Sequence, residues 1–565
     1  MVQLIESDVL VVGGGGAASR AAVEADKAGA KVVLAVKGVF GAIGTRGAGA
    51  SSCGNTWRGG VRLFGMPGEP PRQDPQVAFS QIIQAGLAMA DRKLVNVLID
   101  ETLEAVTELD EWGTIFTNLG IRSLGVPFMS ALGRIMRGSD IKIQQETMII
   151  GLLIQDNACV GAVSIGEKGE IYVFKASAII LGTGGNGRLF LLNLHPSCVT
   201  GDGYAMGYEA GAKLMNMEFS QVFLGTVYPS INILDTNWIF EYYPRIYNAN
   251  GEEFLQNYLP SGATIQECMD QRARHSPFSS RDSLSRYLDI AITKEVLAGR
   301  GTQRYGVYLD LADPKISIPE SIRDFYLYRG VDFAREPVEI GIFSQCSDGG
   351  LVIDENAQTT IPGLYAVGEV AAGSHGADRM GGTMMANSQV FGRRAGKHAA
   401  TRAKQTGLTN LDQELISEYE QSIRRFETGT GDLTPSEAIL MLQRLTWDNI
   451  LLLRSKNSLN KVLDEVNRIQ NEIMPRLSVA SPMELVKAFE LKNLLRVAEI
   501  VSRAALLREE SRGGHYREDF PSRDDEKWRK AIIVENVSGK MQTSPITIDP
   551  DWEDIAGDLG LERWG

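Results

Sequence analysis

The chain has 565 residues, 44% of them apolar, which is enough for more than one structural domain with large cores. Its formal net charge of −13 at pH 7 argues against a general nucleic-acid binder, while leaving room for a local basic pocket that draws a small anionic substrate. The five cysteines, Cys53, Cys159, Cys198, Cys268 and Cys346, are scattered without a C-x-x-C pair, so neither an iron–sulfur cluster nor a zinc site is expected within the sequence, and reduced thiols in a cytoplasmic setting are.

The start, MVQLIESDVLVVGGGG, runs directly into a strand with no charged n-region or cleavage site. No run is apolar and long enough to span a bilayer, so no direct membrane insertion is expected. Residues 8–12 (DVLVV) read as a strand, the glycines Gly13 to Gly16 follow, AASRAAVEADKAGA reads as a helix, and KVVLAV at 31–36 is a second strand. The glycines fit G-x-G-x-x-A through Gly13, Gly15 and Ala18. With the strand before and the helix after in place, the motif points to a dinucleotide; the alternative is a tight structural turn. An acid often ends the second strand and holds a ribose hydroxyl, but here Val36 is followed by Lys37, so the ribose must be held otherwise.

A second strand-to-glycine junction lies at AIILGTGGNG, 178–187, and a third at LYAVGEVA, 364–371, ending in Gly368 and Glu369. Proteins that bind only NAD usually need just the first junction. A ligand as long as FAD uses all three; the alternative is three unrelated turns of one sheet. Residues 226–339 lack such junctions and read as an inserted domain within a nucleotide-binding domain formed by 1–225 and 340–405. Residues 406–530 read as helical, with Leu491, Leu494, Leu495, Ala498 and Ala505 at helical spacing, and 531–565 as a C-terminal tail. Within SHGADRMGGTMMANSQVFGRRAG, His375 and Arg379 stand four residues apart, ahead of a glycine pair and a helix starting near Thr383. A helix start offers free N–H groups and the positive end of a dipole, suited to an anion or an electron-rich ring.

Taken in order, DVLVVGGGGAASRAA, LGTGGNGRLF, TGDGYAMGYEAGAKLMNMEF, IPGLYAVGEVA, SHGADRMGG, VFGRRAG, WDN at 447–449 and REESRGGHYREDFPSRDDEKW at 508–528 resemble one family over nearly the whole chain. It is that of the flavoprotein subunits of succinate dehydrogenase and fumarate reductase, with L-aspartate oxidase and the adenylylsulfate reductase flavoprotein in the same superfamily. The resemblance implies an α/β fold: a Rossmann-like FAD-binding domain, a mobile capping domain at 226–339 and a C-terminal helical domain. It implies FAD held by Gly13, Gly15, Gly16, Ala18, Lys37, Thr183, Gly184, Gly185, Asp202, Glu369, Thr383 and Met384. Glu369 would contact the ribityl region, and the helix start at Thr383 the flavin N1–O2 edge, which becomes anionic on reduction. On the substrate side it implies His375, Arg379 as a fork for a carboxylate, and Arg281 in SSRDSLSRYLDIA as the proton-delivering arginine. A separate iron–sulfur protein is the implied electron partner.

The sequence also departs from that family. Phe223 and Gln345 stand where two substrate histidines are usual. Asn237 and Phe240 replace a glutamate and arginine of the proton relay, with Glu241 and Arg245 as candidate substitutes. Gly44 falls where a histidine links FAD covalently, so FAD is expected to be non-covalent. A carboxylate facing Phe223 would be poorly solvated, which disfavours fumarate or succinate in the usual pose. The leading expectation is therefore hydride transfer at flavin N5 with an altered substrate. The alternatives are an ordinary succinate or fumarate enzyme, a sulfur-compound reductase resembling the adenylylsulfate enzyme, and an electron-transfer flavoprotein without its own substrate.

Overall fold

The computed structural model describes residues 2–41, 47–48, 74–114, 125–230, 237–274, 278–280, 283–312, 318–328, 330–333, 335–427 and 431–548. Its centre is a seven-stranded sheet. Val2–Val12 lies between Val32–Ala35 and Ile171–Leu181, parallel to both, and Lys142–Gln144 extends the sheet beyond Val32–Ala35. Leu364–Ala366 adds a further parallel strand beside Ile171–Leu181. An antiparallel pair, Thr147–Gln155 and Ala158–Gly166, completes it. Where helices cover the sheet's faces the parallel strands run apolar, as at Val9 to Val11, which are fully buried.

The Gly16–Lys27 helix packs against the Thr383–Thr406 helix along small residues. A Cβ on Gly392 would stand 2.8 Å from the Ala17 carbonyl oxygen, and one on Gly396 2.3 Å from that of Ala21. Only glycine allows this approach. It runs the two helices side by side and parallel, both N-termini toward the carboxyl edge of the sheet, the edge at which open α/β folds hold ligands.

The inserted region is built on a four-stranded antiparallel sheet in the order Ser220–Tyr228, Val338–Ser347, Gly306–Asp310, Arg245–Tyr247. Helices Ile265–Arg274 and Arg286–Leu297 flank it, joined by a buried bidentate pair of Arg272 with Asp289 at 2.8 and 3.0 Å. Its first and last strands run across residues 226 and 339, the boundaries expected from sequence, so the insert shares continuous strands with the nucleotide-binding region.

The helical region contains Gln413–Glu427, Pro435–Thr446, Lys456–Arg468 and the long Pro482–Leu507 helix. From residue 531 onward a tail was the expectation; its described part is a β-hairpin of Lys530–Val537 and Lys540–Thr547. That hairpin pairs with Leu214–Met215 and so extends a sheet rooted in the nucleotide-binding region. Among the described residues no helix is long and apolar enough to cross a membrane.

Candidate functional site

The strand-to-glycine junctions converge as the sequence suggested. Gly13 has φ +115°, and a Cβ there would lie 2.3 Å from the Gly182 carbonyl oxygen. A Cβ on Gly182 would in turn sit 2.7 Å from that of Ala18. The first two junctions therefore touch, leaving the start of the Gly16–Lys27 helix open: Gly15 is its N-cap and no side chain caps it. Gly184 follows with φ +75°, and Gly185 lies under Glu369, whose Oε1 a Cβ would approach to 2.0 Å. The Glu369 carboxylate accepts the Ser347 amide at 3.0 Å, and its carbonyl accepts the Tyr204 hydroxyl at 2.7 Å. Thr183 Oγ1 and Asn186 Nδ2 are buried without a protein partner among the described residues. A side-chain-free cradle with two orphaned polar atoms and an uncapped helix start fits a diphosphate and its attached ribose.

Lys37 and Asp202, far apart in sequence, form one buried cluster. Lys37 Nζ is 2.7 Å from Asp202 Oδ2, 2.6 Å from Thr200 Oγ1 and 2.8 Å from Glu490 Oε1. Asn493 donates to Asp202 Oδ1 at 2.9 Å. Burial opposes the Lys37 charge, but Asp202 and Glu490 outweigh it and hold its pKa above the ordinary lysine range. Glu490 and Asn493 belong to the Pro482–Leu507 helix and were not anticipated from sequence; no local motif marks them.

At the other end of the cradle, the Thr383–Thr406 helix starts after Gly382, with no side-chain cap and no acid in its first turn. Thr383 directs its hydroxyl back to the Met380 carbonyl at 2.8 Å, and Met384 is half-buried. The preceding loop carries His375 and Arg379. His375 is 6% exposed and its Nε2 has no partner among the described residues; the same holds for Arg379 Nε. Arg379 Nη1 donates to the Met380 carbonyl at 3.1 Å. Gln221 braces this loop, donating to Asp378 Oδ1 at 3.0 Å and to the Arg379 carbonyl at 2.8 Å, while Cys346 Sγ approaches Gln221 Oε1 at 3.2 Å. Burial works against the Arg379 charge, yet Cys346, Asp348 and Asp378 outweigh it, and its pKa is raised.

Phe223 and Gln345 lie on adjacent strands of the insert. Phe223 pairs with Phe343, while Gln221 pairs with Cys346 and Val222 with Ser344, so Gln345 is the extra residue of a β-bulge. Bulges re-aim a side chain beside functional sites, and a register shift of this kind cannot be read from local sequence. Of the suggested relay substitutes, Glu241 is exposed and Arg245 is held by Glu253 at 2.6 Å in a pair more than half exposed. Neither has the buried position that a proton relay requires. Phe240 is fully buried in the core. Arg281 and Gly44 lie outside the described residues.

A loop from the far end of the chain closes the site. Gly514 donates its amide to the Ala377 carbonyl at 3.2 Å, and the Gly513 carbonyl accepts the Ser280 amide at 2.8 Å. Behind it stands a fully buried ionic network: Arg508 with Glu218 at 2.8 Å and Glu510 at 2.9 Å, and Arg512 with Glu510 at 2.7 Å. The sequence signal was the glycine pair inside SRGGHYR, which resemblance flagged without a role.

This arrangement defines a dinucleotide-binding protein of the doubly wound type, with an inserted antiparallel sheet beside the cradle. A family model described as FAD binding domain matches residues 8–385, and one described as Fumarate reductase flavoprotein C-term matches 440–552. The chain belongs to the fumarate reductase and succinate dehydrogenase flavoprotein family, and it is an FAD-dependent oxidoreductase. It is 34% identical to an uncharacterized FAD-dependent oxidoreductase of Methanocaldococcus jannaschii, over 94% of this chain and 96% of the relative. It is 32% identical to a fumarate reductase (CoM/CoB) subunit of Methanothermobacter marburgensis, over 94% and 97%. Among solved structures, Mycobacterium smegmatis Sdh1 matches with a TM-score of 0.80 at 25% identity, covering 96% of this chain and 94% of that one. Adenylylsulfate reductase from Archaeoglobus fulgidus shares the fold, with a TM-score of 0.71 at 19% identity over 97% and 96%.

Proposed function

We propose that this oxidoreductase acts on a substrate anchored by one anionic group on Arg379, and not on a C4 dicarboxylate gripped at both ends. The observation that carries this reading is the immediate surroundings of Arg379. Its charge is already faced by Asp348 and Asp378, and the two strands that bring Gln221 and Cys346 to it also carry buried Phe223 and the bulged Gln345. When bound, FAD supplies two-electron, hydride-type chemistry at N5. Around it, the glycine cradle binds the diphosphate, the uncapped Thr383 helix start offers N–H groups, and Arg379 orients the substrate. His375, held neutral, presents Nε2 as a hydrogen-bonding group. On family resemblance Arg281 handles the proton and a separate iron–sulfur protein exchanges electrons.

Anaerobically reduced holoenzyme mixed with fumarate, and oxidised holoenzyme mixed with succinate, provide the test. The flavin absorbance is expected to change slowly or not at all. Turnover at about 1 per second or faster, within the ordinary enzymatic range, would refute the reading. It would establish the second one, fumarate reduction, which the name of the Methanothermobacter marburgensis relative favours.

A further inference from the structure

Asp348 is an acid in a place with little room for one. It sits in SQCSDGG, where the resembling motif H-Y-x-M-G-G has methionine, and it is 1% exposed. Its amide donates to the Phe219 carbonyl at 3.0 Å. Its carboxyl group accepts the Arg379 backbone N–H, and Cys346 Sγ lies 4.0 Å from Oδ1. Oδ2 has no partner among the described residues, and neither do the nearby Arg379 Nε and His375 Nε2. Two unpartnered polar atoms beside a guanidinium whose own Nε is unpartnered mark a place for a polar ligand.

The groups that bear on Asp348 are Arg379 and Asp378 from the loop after the third glycine junction, Glu369 from that junction, Tyr204 from the Asp202–Glu209 helix, and Cys346 at the end of the Val338–Ser347 strand just before it. His375 bears on it through Arg379. We propose that Asp348 makes anion binding at Arg379 proton-coupled: the site takes up one proton on Asp348 with the anionic group it binds, and so selects ligands carrying a single negative charge. The inference rests on Arg379 being the substrate anchor. With Asp348 ionised, an arriving carboxylate would stand as a third anion beside Asp348 and Asp378 around one buried guanidinium, a costly arrangement. Protonating Asp348 keeps the number of anions around Arg379 as it was before binding and turns Oδ2 into a neutral donor toward the ligand. A dianion would bring a second charge with no cation to meet it. Burial pushes the Asp348 pKa well above the usual carboxylate range, the direction that a proton-accepting carboxylate needs.

The test uses FAD-loaded protein titrated with crotonate, a monocarboxylate, and succinate, a dicarboxylate, between about pH 6 and 9. Flavin absorbance reports binding, and a pH indicator in weak buffer reports proton uptake. Crotonate binding is expected to weaken by up to about tenfold per pH unit with one proton taken up, and succinate to bind more weakly than crotonate. In Asp348→Asn, and in the smaller Asp348→Ser, the pH dependence is expected to vanish; unchanged flavin content shows that each variant is folded. A wild-type crotonate affinity independent of pH, no crotonate binding at pH 6, or a variant that keeps the wild-type slope would each overturn the proposal. Undiminished crotonate binding in Arg379→Gln would instead overturn the anchor reading on which it rests.

Discussion

At His375 the imidazole is kept neutral, first by burial and then by the adjacent Arg379 charge, and its pKa is held down to about 3. His515 is treated similarly: burial, then Arg454, Arg508 and Arg517, push its pKa far below the ordinary value. Arg454 Nη1 lies 2.7 Å from His515 Nδ1, a contact that needs that nitrogen unprotonated. In the unfolded chain both rings protonate near pH 6.5, whereas in the folded chain His375 does so only near pH 3. Between those values the unfolded state binds more protons, so stability is complete above about pH 6.5 and declines as the pH falls. Urea unfolding followed from pH 7 to 4 should show this decline. In His375→Gln the slope should be shallower by up to about 1.4 kcal/mol per pH unit, and an unchanged slope would show that the ring protonates freely in the fold.

Among the elements, the loop carrying Gly513 and Gly514 has little freedom to change. A Cβ on Gly513 would stand 2.0 Å from the Ala377 carbonyl oxygen, and one on Gly514 2.2 Å from that of Ser220. Ala377 is two residues from Arg379, and Ser220 precedes Gln221, which braces it. Gly514→Ala must therefore displace the substrate-side loop while leaving the dinucleotide cradle untouched. The expected outcome is a loss of crotonate affinity by about tenfold or more, corresponding to about 1.4 kcal/mol, with flavin content retained. Loss of flavin with anion affinity intact would reverse that assignment. The resemblance made the SRGGHYR motif visible, but its contact with a loop well over a hundred residues earlier in the chain lies beyond any local pattern.

For the whole molecule, legibility followed locality. The strands around Gly13, Gly182 and Gly368 were readable because apolar runs and glycines are written side by side. The setting of Gln345 was not, because a bulge depends on a partner strand. Arg245 looked like a relay substitute only while its exposure was unknown. Asp348 stood three residues from Gln345, and its significance came from burial beside Arg379. Glu490 was invisible for a related reason: its partner Lys37 lies at the opposite end of the chain. Glu490→Gln leaves Lys37 with Asp202 as the one acid of this cluster facing it, so FAD should dissociate more readily, with Kd rising about tenfold for a loss near 1.4 kcal/mol. Fluorescence of flavin released from the protein measures this, and an unchanged Kd would make Glu490 a bystander.

The same closure orders events in time. Lys37 waits for Glu490, and the Leu214–Met215 strand waits for Ile533 and Val534 of the terminal hairpin. During synthesis the first piece of the dinucleotide cradle, Gly13 to Ala18, is thus among the first parts to leave the ribosome, while Thr183, Glu369 and finally Glu490 emerge long after it. Until Glu490 emerges, Lys37 lacks one of the two acids that face it.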